Sequence, residues 1–301
     1  MNEHSHLKNL VNLGFLVDEK IKDKIEGLKE ENFYMLIESL KKDNIFVIDE
    51  RVIKNILSED VKILRAFTPI EIFSVQDYVK NLNERYLILQ NILIKKLELP
   101  NMVSIDKSSD GNVSVIGLLK EKEEKIENII ISLEDPTGEI RAVIPKKLGE
   151  KLSQDDVIAL TGTLKDKTLN VDRILFPDVP LKSVNLSQDS IKIAFLPEKD
   201  VDADYIIFKD NIEDKIKNKK TDITNPCIFK INNVIFLTVF GLDPMEVLKK
   251  RYVNINNTAF IVEPSPDIVF TDKDVNTNYK GISIISKNKI IDLKSREITN
   301  T

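Results

Sequence analysis

The stretch NVSVIGLLKEKEEKIENIIISLEDPTGEIRAVIPKKL, residues 112–148, is where the sequence declares its architecture. Two apolar-alternating runs, IIISLE and IRAVIP, flank Asp135, Pro136, Thr137 and Gly138. Period-two alternation around a tight turn predicts a β-hairpin, with Gly138 expected to supply a positive φ. The same character continues through VIALTGTL and LNVDRILF, and LGEKLSQDD between them predicts a short helix. Strand, hairpin, helix, hairpin is the order of a five-stranded oligonucleotide/oligosaccharide-binding (OB) barrel with a helix between its third and fourth strands.

Working outward, HLKNLVNLGFLV, DEKIKDKIEGL, ENFYMLIESLKK and ERVIKNILSED carry Leu, Ile, Val and Phe at three- and four-residue spacing. They predict short amphipathic helices in a small domain over 1–66, interrupted by the apolar burst NIFVIDE. Residues 67–103 hold a linker, FTPIEIFS, and one long helix from Val75 to Leu97, which must end before Pro100. Its apolar face is Tyr78, Val79, Leu82, Tyr86, Leu89, Ile92, Leu93 and Leu97, with Lys80 and Arg85 read as a solvated flank. The barrel unit spans 104–182 and exits through FPDVPLKS. Over 186–301 the runs IKIAFL, ADYIIF, PCIFKI, VIFLTVFG, TAFIVE, PDIVF and ISIIS read as strands. VIFLTVF is apolar without interruption, as suits a strand buried on both faces. Only DNIEDKIKNKK and DPMEVLKKRYV predict helices there.

Composition sets limits on chemistry. The chain of 301 residues has a formal net charge of -5, so nucleic-acid affinity would need a local basic patch. Within the barrel unit the only aromatic is Phe176, and Glu121, Glu123, Glu124 and Glu127 crowd the tip of the first hairpin. Single-strand binders use stacked aromatics in a basic groove, so the barrel reads as a packing or docking module. Cys227 is the single cysteine, which excludes an intramolecular disulfide and a thiolate zinc cluster, and fits a reducing interior. His4 and His6, both in the first residues, are the only histidines. Most hydrolytic metal centres and Ser-His-Asp triads are thereby excluded from the remainder. The N-terminal residues lack the basic-then-apolar order of a signal peptide and no apolar run approaches a membrane span, so a cytoplasmic protein is expected.

Carboxylates are the remaining candidates for chemistry. Asp272, Asp274 and Asn276 mimic the first half of an EF-hand loop, but Thr277 stands at the required Gly and Ser283 at the required Glu. Glu198, Asp200, Asp202 and Asp204 form an acidic loop after IKIAFL, and Asp210 follows YIIF. Lys249, Lys250 and Arg251 are read as cations at a helix C-terminus.

In this order the pieces resemble the small subunit of the archaeal family D DNA polymerase, the B-subunit family of replicative DNA polymerases. NERYLILQNILIKKLELPNMVSI, leading into VSVIGLL and IIISLEDPTGEIRAVIPK, looks like that family's helix entering its barrel. DVIALTGTL and LNVDRILFPDVP look like its last barrel strands and proline-rich exit. The resemblance implies that a calcineurin-like phosphoesterase domain follows, which in archaeal members is a two-metal 3'-to-5' exonuclease. Glu198 and Asp200 stand where the family has an Asp-x-His pair. Asp210 matches the second motif with Lys209 in place of a Gly, and Phe240-Gly241 replaces His-Gly. Asp272 replaces the Gly of the closing Gly-His-x-His motif, and Lys273 and Val275 replace its two histidines. The Gly-Asn-His-Asp motif has no counterpart.

The implied fold class is thus α+β and multidomain: an N-terminal helical domain, an OB-fold barrel and a reduced phosphoesterase α/β sandwich. Glu198, Asp200, Asp210, Gly241, Lys273 and Val275 are expected to be vestigial, with no catalytic residue, metal or cofactor. The implied role is a non-catalytic scaffold for the large catalytic polymerase subunit, touching DNA through the complex. The alternative is a metal-dependent 3'-5' exonuclease working with Asp210, Glu198 and Asp272 alone. A standalone single-strand-binding module would require a basic face that the barrel segment does not show.

Overall fold

The computed structural model describes residues 6–42, 44–57, 61–69, 74–96, 99–256 and 258–301. The helical unit comprises α1 (His6–Asn12), β1 (Leu16–Val17), α2 (Lys22–Glu26), α3 (Glu30–Lys42), β2 (Val47–Ile48) and α4 (Glu50–Leu57). Its apolar stripes converge on a core of Leu10, Ile25, Phe33, Leu36, Leu40, Ile48 and Ile53. The NIFVIDE burst is β2, which pairs in parallel with β1 and buries Ile48.

Residues 62–66, grouped with the helices by their position in sequence, do something else. Lys62–Ala66 forms a strand, β3, at the edge of a sheet in the C-terminal half, pairing antiparallel with Cys227–Ile231. Its alternation lets Ile63 pack on one side of that sheet and Leu64 on the other, a placement that helical spacing could not achieve. Phe67 extends the tie by donating its N–H to Thr224 Oγ1 at 2.7 Å.

The long helix α5 (Val75–Ile94) begins at Ser74, whose hydroxyl accepts the Asp77 N–H and donates to the Asp77 carboxylate. Tyr86, Leu89 and Leu93 press on Ile116, Leu118, Val157 and Ala159 of the barrel wall and on Ile261. Burying each of those leucines is worth about 1.5–3 kcal/mol. Leu97 lies outside the described residues. Arg85 is not the solvated flank expected: it is 3% exposed, and its guanidinium lies 4.8 Å from the centre of the Tyr252 ring.

The barrel is closed. Its strands are β4 (Gly111–Glu124), β5 (Asn128–Asp135), β6 (Gly138–Pro145), β7 (Val157–Lys165) and β8 (Thr168–Leu175). They are arranged β4-β5-β6-β8-β7, with β7 returning to β4 and β6 parallel to β8. A register shift between Leu119 and Glu121 lets β4 pair with β7 over its first half and with β5 over its second. The connecting helix α6 (Lys146–Gly149) is a single turn that starts two residues before the LGEKLSQDD segment. Gly162 is required where β7 meets β8, since a Cβ there would sit 2.0 Å from the Asn170 carbonyl oxygen. Gly138 does not take a positive φ. The Asp135 carboxylate holds the hairpin turn instead, accepting the N–H groups of Thr137 at 2.7 Å and Gly138 at 3.0 Å.

The C-terminal half packs two six-stranded sheets face to face. One contains β9 (Lys192–Phe195), β10 (Tyr205–Ile207), β11 (Asn211–Asp214), β12 (Lys219–Asp222), and two strands from the end of the chain. The other contains β3, β13 (Cys227–Ile231), β14 (Val234–Val239), β17 (Ile268–Thr271), β18 (Thr277–Tyr279) and β19 (Ile282–Ile285). The closing strands of the first sheet are β20 (Lys289–Asp292) and β21 (Ile298–Asn300). Between the sheets lie Phe195, Tyr205, Phe229, Phe236, Phe270, Ile285 and Ile291. The outer face of the second sheet is covered by α7 (Pro244–Lys250) and the hairpin of β15 (Tyr252–Ile255) and β16 (Thr258–Ile261). β14 is therefore buried on both faces, Phe236 to one side and Leu237 and Val239 to the other.

DNIEDKIKNKK forms no helix. It is the β11–β12 hairpin, because Asp214 Oδ1 accepts the N–H groups of Ile216 and Lys217 and Asn218 takes a positive φ, closing a turn. Among the described residues, no helix is long and apolar enough to cross a membrane.

Cys227 supplies a test of the β3 edge. It is fully buried, and burial pushes its thiol up to about 11. Because the folded pKa is raised, the neutral thiol favours the folded state below the ordinary thiol range, and that contribution is lost as pH rises toward about 11. At pH 8 a thiol reagent is expected to label the protein only where denaturant unfolds the sandwich. A chain starting at residue 61 should keep the parent labelling midpoint, whereas one starting at residue 67 should lose about 2–3 kcal/mol. Equal midpoints for the two truncations would show that β3 contributes nothing.

Candidate functional site

In sheets with parallel strands, ligands gather at the carboxyl ends of those strands. β9 runs parallel to β10, and β14 runs parallel to β17. The segments following these four strands carry Glu198, Asp200, Asp210, Gly241, Asp272, Lys273 and Val275.

Most of these positions have a local use. Glu198 Oε1 accepts Asn288 Nδ2 at 2.7 Å, and Asp210 Oδ1 accepts the neighbouring Asn211 Nδ2 at 2.6 Å. Asp200 is exposed. Gly241 takes φ +80° and donates its N–H to Asp272 Oδ1 at 2.8 Å, so that carboxylate ties two strand ends together. The Lys273 N–H is bonded to Thr271 Oγ1, and Val275 packs against the apolar layer under α7. Asn276 holds Ser286 through both its oxygen and its amide nitrogen. Asp204 accepts the Lys192 N–H at 2.9 Å, binding the acidic loop to β9.

The floor beneath these loops is aromatic. Phe195 stacks on Phe270 at 4.5 Å and on Phe240 at 5.8 Å, while Asn225 fixes the Phe240 backbone through both its N–H and its carbonyl. His6 belongs to the helical unit, where its ring stacks on Phe33 at 4.1 Å, and His4 lies outside the described residues. Among the described residues, no three His, Cys, Asp or Glu side chains are grouped so as to hold a metal ion. A two-metal phosphoesterase needs several such donors in one cradle. A lysine, a valine, an exposed Asp200 and three carboxylates each bonded to a separate neighbour do not fit it.

A second feature, the junction of the barrel with the sandwich, is barely marked in the sequence. Asp156, at the mouth of β7, is 1% exposed and accepts Lys250 Nζ at 3.0 Å and the Tyr252 hydroxyl at 3.1 Å. Burial holds its carboxyl above the ordinary range, with Lys250 opposing that shift. Lys250 also reaches Ser153 Oγ and Glu246, and Arg251, 3% exposed, pairs with Glu263. The KKR cluster is thus largely interior: Lys250 and Arg251 are used in these pairs, and Lys249 lies over the Phe176 ring at 4.1 Å. The exit segment is pinned in the same way, Asp178 by Lys280 at 2.6 Å and Tyr279 at 2.9 Å, and Lys182 to the buried Asp267 at 2.6 Å. The only local trace in sequence was the concentration of cations at 249–251.

Each lysine of β4 and its turn is paired with a carboxylate of the barrel. Lys120 pairs with Glu139 at 2.9 Å and Glu134 at 3.5 Å, Lys122 pairs with Glu124 at 3.0 Å, and Lys125 pairs with Glu123.

No protein-family model matches the chain. It is similar to DNA polymerase II small subunits of archaea. It is 34% identical to that of Archaeoglobus fulgidus over 128 residues, which is 42% of this chain and 26% of that protein. It is 31% identical to that of Methanothermobacter thermautotrophicus over 143 residues, 44% of this chain and 29% of that protein. With the small subunit of Pyrococcus furiosus it shares 32% over 117 residues, 36% and 19% of the two chains. The match therefore spans less than a third of each of these relatives. Among solved structures, a replication protein A heterotrimer bound to ssDNA is matched at 18% identity and TM-score 0.20 over 23% of this chain and 59% of that one. An OBody bound to hen egg-white lysozyme is matched at 13% identity and TM-score 0.23 over 24% and 88%.

Two outcomes are expected from this geometry. After dialysis against manganese, the bound metal should be substoichiometric and equal in the parent and in an Asp210→Asn/Asp272→Asn variant; one equivalent in the parent, lost in the variant, would contradict the reading. At the junction, Asp156→Ala should cost about 1–3 kcal/mol in chemical denaturation because Lys250 and Tyr252 lose their shared buried acceptor, while Asp156→Leu with Lys250→Met should recover most of that loss.

Proposed function

We propose that this chain is a non-catalytic small subunit of a family D-like DNA polymerase, binding and stabilising a large catalytic subunit. Its similarity to the archaeal small subunits is the observation that carries the reading. On this reading, 1–66 is a helical domain, 67–103 the linker and long helix, 104–182 an OB-fold barrel and 186–301 a reduced calcineurin-like phosphoesterase sandwich. The β3 strand is the one part of the first segment lent to the last. Two sheets with parallel strand ends at one rim support the kinship with that sandwich. The scattered Glu198, Asp200, Asp210 and Asp272, together with Lys273 and Val275 in the other positions, support loss of the exonuclease.

A scaffold role also accounts for the barrel. Its first hairpin carries paired lysines and no aromatic platform, so contact with DNA would come through the assembled complex and not from an independent basic groove. A replication role places the protein with the chromosome in the cytoplasm.

Co-expression with the large polymerase subunit from the same source is the test. A stable heteromeric complex, and no manganese-dependent hydrolysis of single-stranded DNA by the small chain, are expected. A chain that stays monomeric beside the large subunit would refute the scaffold role. Hydrolysis abolished by Asp210→Asn would establish the carboxylate-only nuclease in its place.

A further inference from the structure

The two halves of α5 are held very differently. Its buried side chains, Arg85, Tyr86, Leu89 and Leu93, all belong to the second half, where the barrel wall and the β15–β16 hairpin receive them. From Val75 to Glu84 every side chain is exposed or half-buried. About three turns of helix therefore stand on the surface with a face uncovered. A helical segment of that length is marginal in water unless an apolar face is packed, and Val75 and Val79 are β-branched residues that favour helix weakly.

The uncovered face is apolar and regularly spaced. Val75 is 76% exposed, Val79 47% and Leu87 52%, and with Asn83 they stand four residues apart. These positions form a single i±4 ridge, the surface feature that packs into the grooves of another helix. Among the described residues, only α5 side chains line the shallow concavity that runs from Val75 to Leu87. Lys80 and Glu84 lie along one flank of the ridge, both well exposed, and approach each other at 4.0 Å. Lysine preceding glutamate by four residues is the weaker order for a pair within one helix, so both charges can be better matched from outside.

We propose that this face binds a second copy of the chain, the two α5 helices crossing antiparallel about a two-fold axis at Asn83. In such an isologous contact each residue meets the one placed symmetrically across the axis. Val79 then lies opposite Leu87 of the second copy, and the reverse contact repeats on the other side. The two Asn83 amides face each other, and each can donate and accept. Lys80 comes within two residues, about 3 Å along the helix, of Glu84 of the second copy, so two reciprocal Lys–Glu pairs form. A parallel pairing would instead set Lys80 against Lys80 and Glu84 against Glu84. The face thus carries its own complement, apolar ridge for apolar ridge and cation for anion. A contact built on one helix is small, so the dimer is reversible and concentration-dependent.

Sedimentation equilibrium of the full chain should show monomer–dimer exchange that shifts with concentration. Leu87→Asp, at an exposed side chain, should leave the far-ultraviolet circular dichroism spectrum unchanged and raise the dimer dissociation constant about tenfold or more. Lys80→Glu should weaken the dimer several-fold, and adding Glu84→Lys should restore it. Under mild oxidation, Val79→Cys and Leu87→Cys chains should form a disulfide-linked dimer with each other and neither with itself; Cys227 is buried and does not compete. A chain monomeric at every concentration, a dimer indifferent to Leu87→Asp, a charge exchange that restores nothing, or Val79→Cys cross-linked to itself would each overturn the proposal. So would a monomer whose Leu87→Asp variant loses the large polymerase subunit on co-expression; that result would give the face to the large subunit and leave the small-subunit reading standing.

Discussion

The burial of Asp156 between Lys250 and Tyr252 is the constraint around which the two β units are arranged. A carboxylate 1% exposed is tolerable only where a cation and a hydroxyl replace its water, and both come from the other unit. Such a pair adds little net stability, since desolvation consumes most of the Coulombic gain. What it supplies is orientation: the barrel can seat on α7 and β15 in one way only without leaving a buried charge unpaired. α5 then fills the angle between them, with Leu89 and Leu93 against the barrel and Ile261, and Arg85 over the Tyr252 ring. The apolar contacts provide the energy and the polar ones select the geometry.

The sandwich shows the same division of labour. Its cohesion lies in stacked phenylalanines between the sheets, and Phe195, Phe229, Phe236 and Phe270 all lie within strands and not in the polar loops at the rim. Metal ligands would occupy strand-end loops, which contribute little to that core. Side chains can therefore change there without disturbing the sheets, provided each newly placed carboxylate finds a local donor. Asp272 bonded to Gly241, Asp210 to Asn211 and Glu198 to Asn288 meet that condition.

Much of this was legible in the sequence, for reasons that can be named. The barrel strands and β14 carry strong period-two or continuous apolar patterns, which tertiary packing preserved. The β11–β12 hairpin was misread because KIKNKK has helical composition, while the deciding features were the Asp214 side chain and the positive φ of Asn218, both local hydrogen-bonding choices. Gly138 was assigned a freedom that Asp135 makes unnecessary. β3 was missed because its partner, β13, lies far along the chain, and a five-residue strand has no signature apart from that partner. Of the positions at the rim, Glu198, Asp200, Asp210 and Asp272 stood out as carboxylates near strand ends, whereas Gly241, Lys273 and Val275 were found only through family resemblance. Composition had said beforehand, by the scarcity of histidine, what kind of chemistry they could not perform.

The position of β3 ties these points together. A strand that follows the helical unit and precedes α5 reaches the sandwich edge before the barrel has been traversed in sequence. The chain thus closes a loop from the sandwich through α5 and the barrel and back along the exit segment, which is pinned by Asp178 and Lys182. Closing so long a loop costs conformational entropy that grows only slowly with length. The strand pairing, the α5 interface and the buried ion pairs are each modest contributions. Because each one holds the ends that the others need, the barrel and sandwich are expected to unfold as one cooperative unit, with the helical unit, linked mainly through β3 and a Lys24–Asp189 ion pair, free to unfold separately.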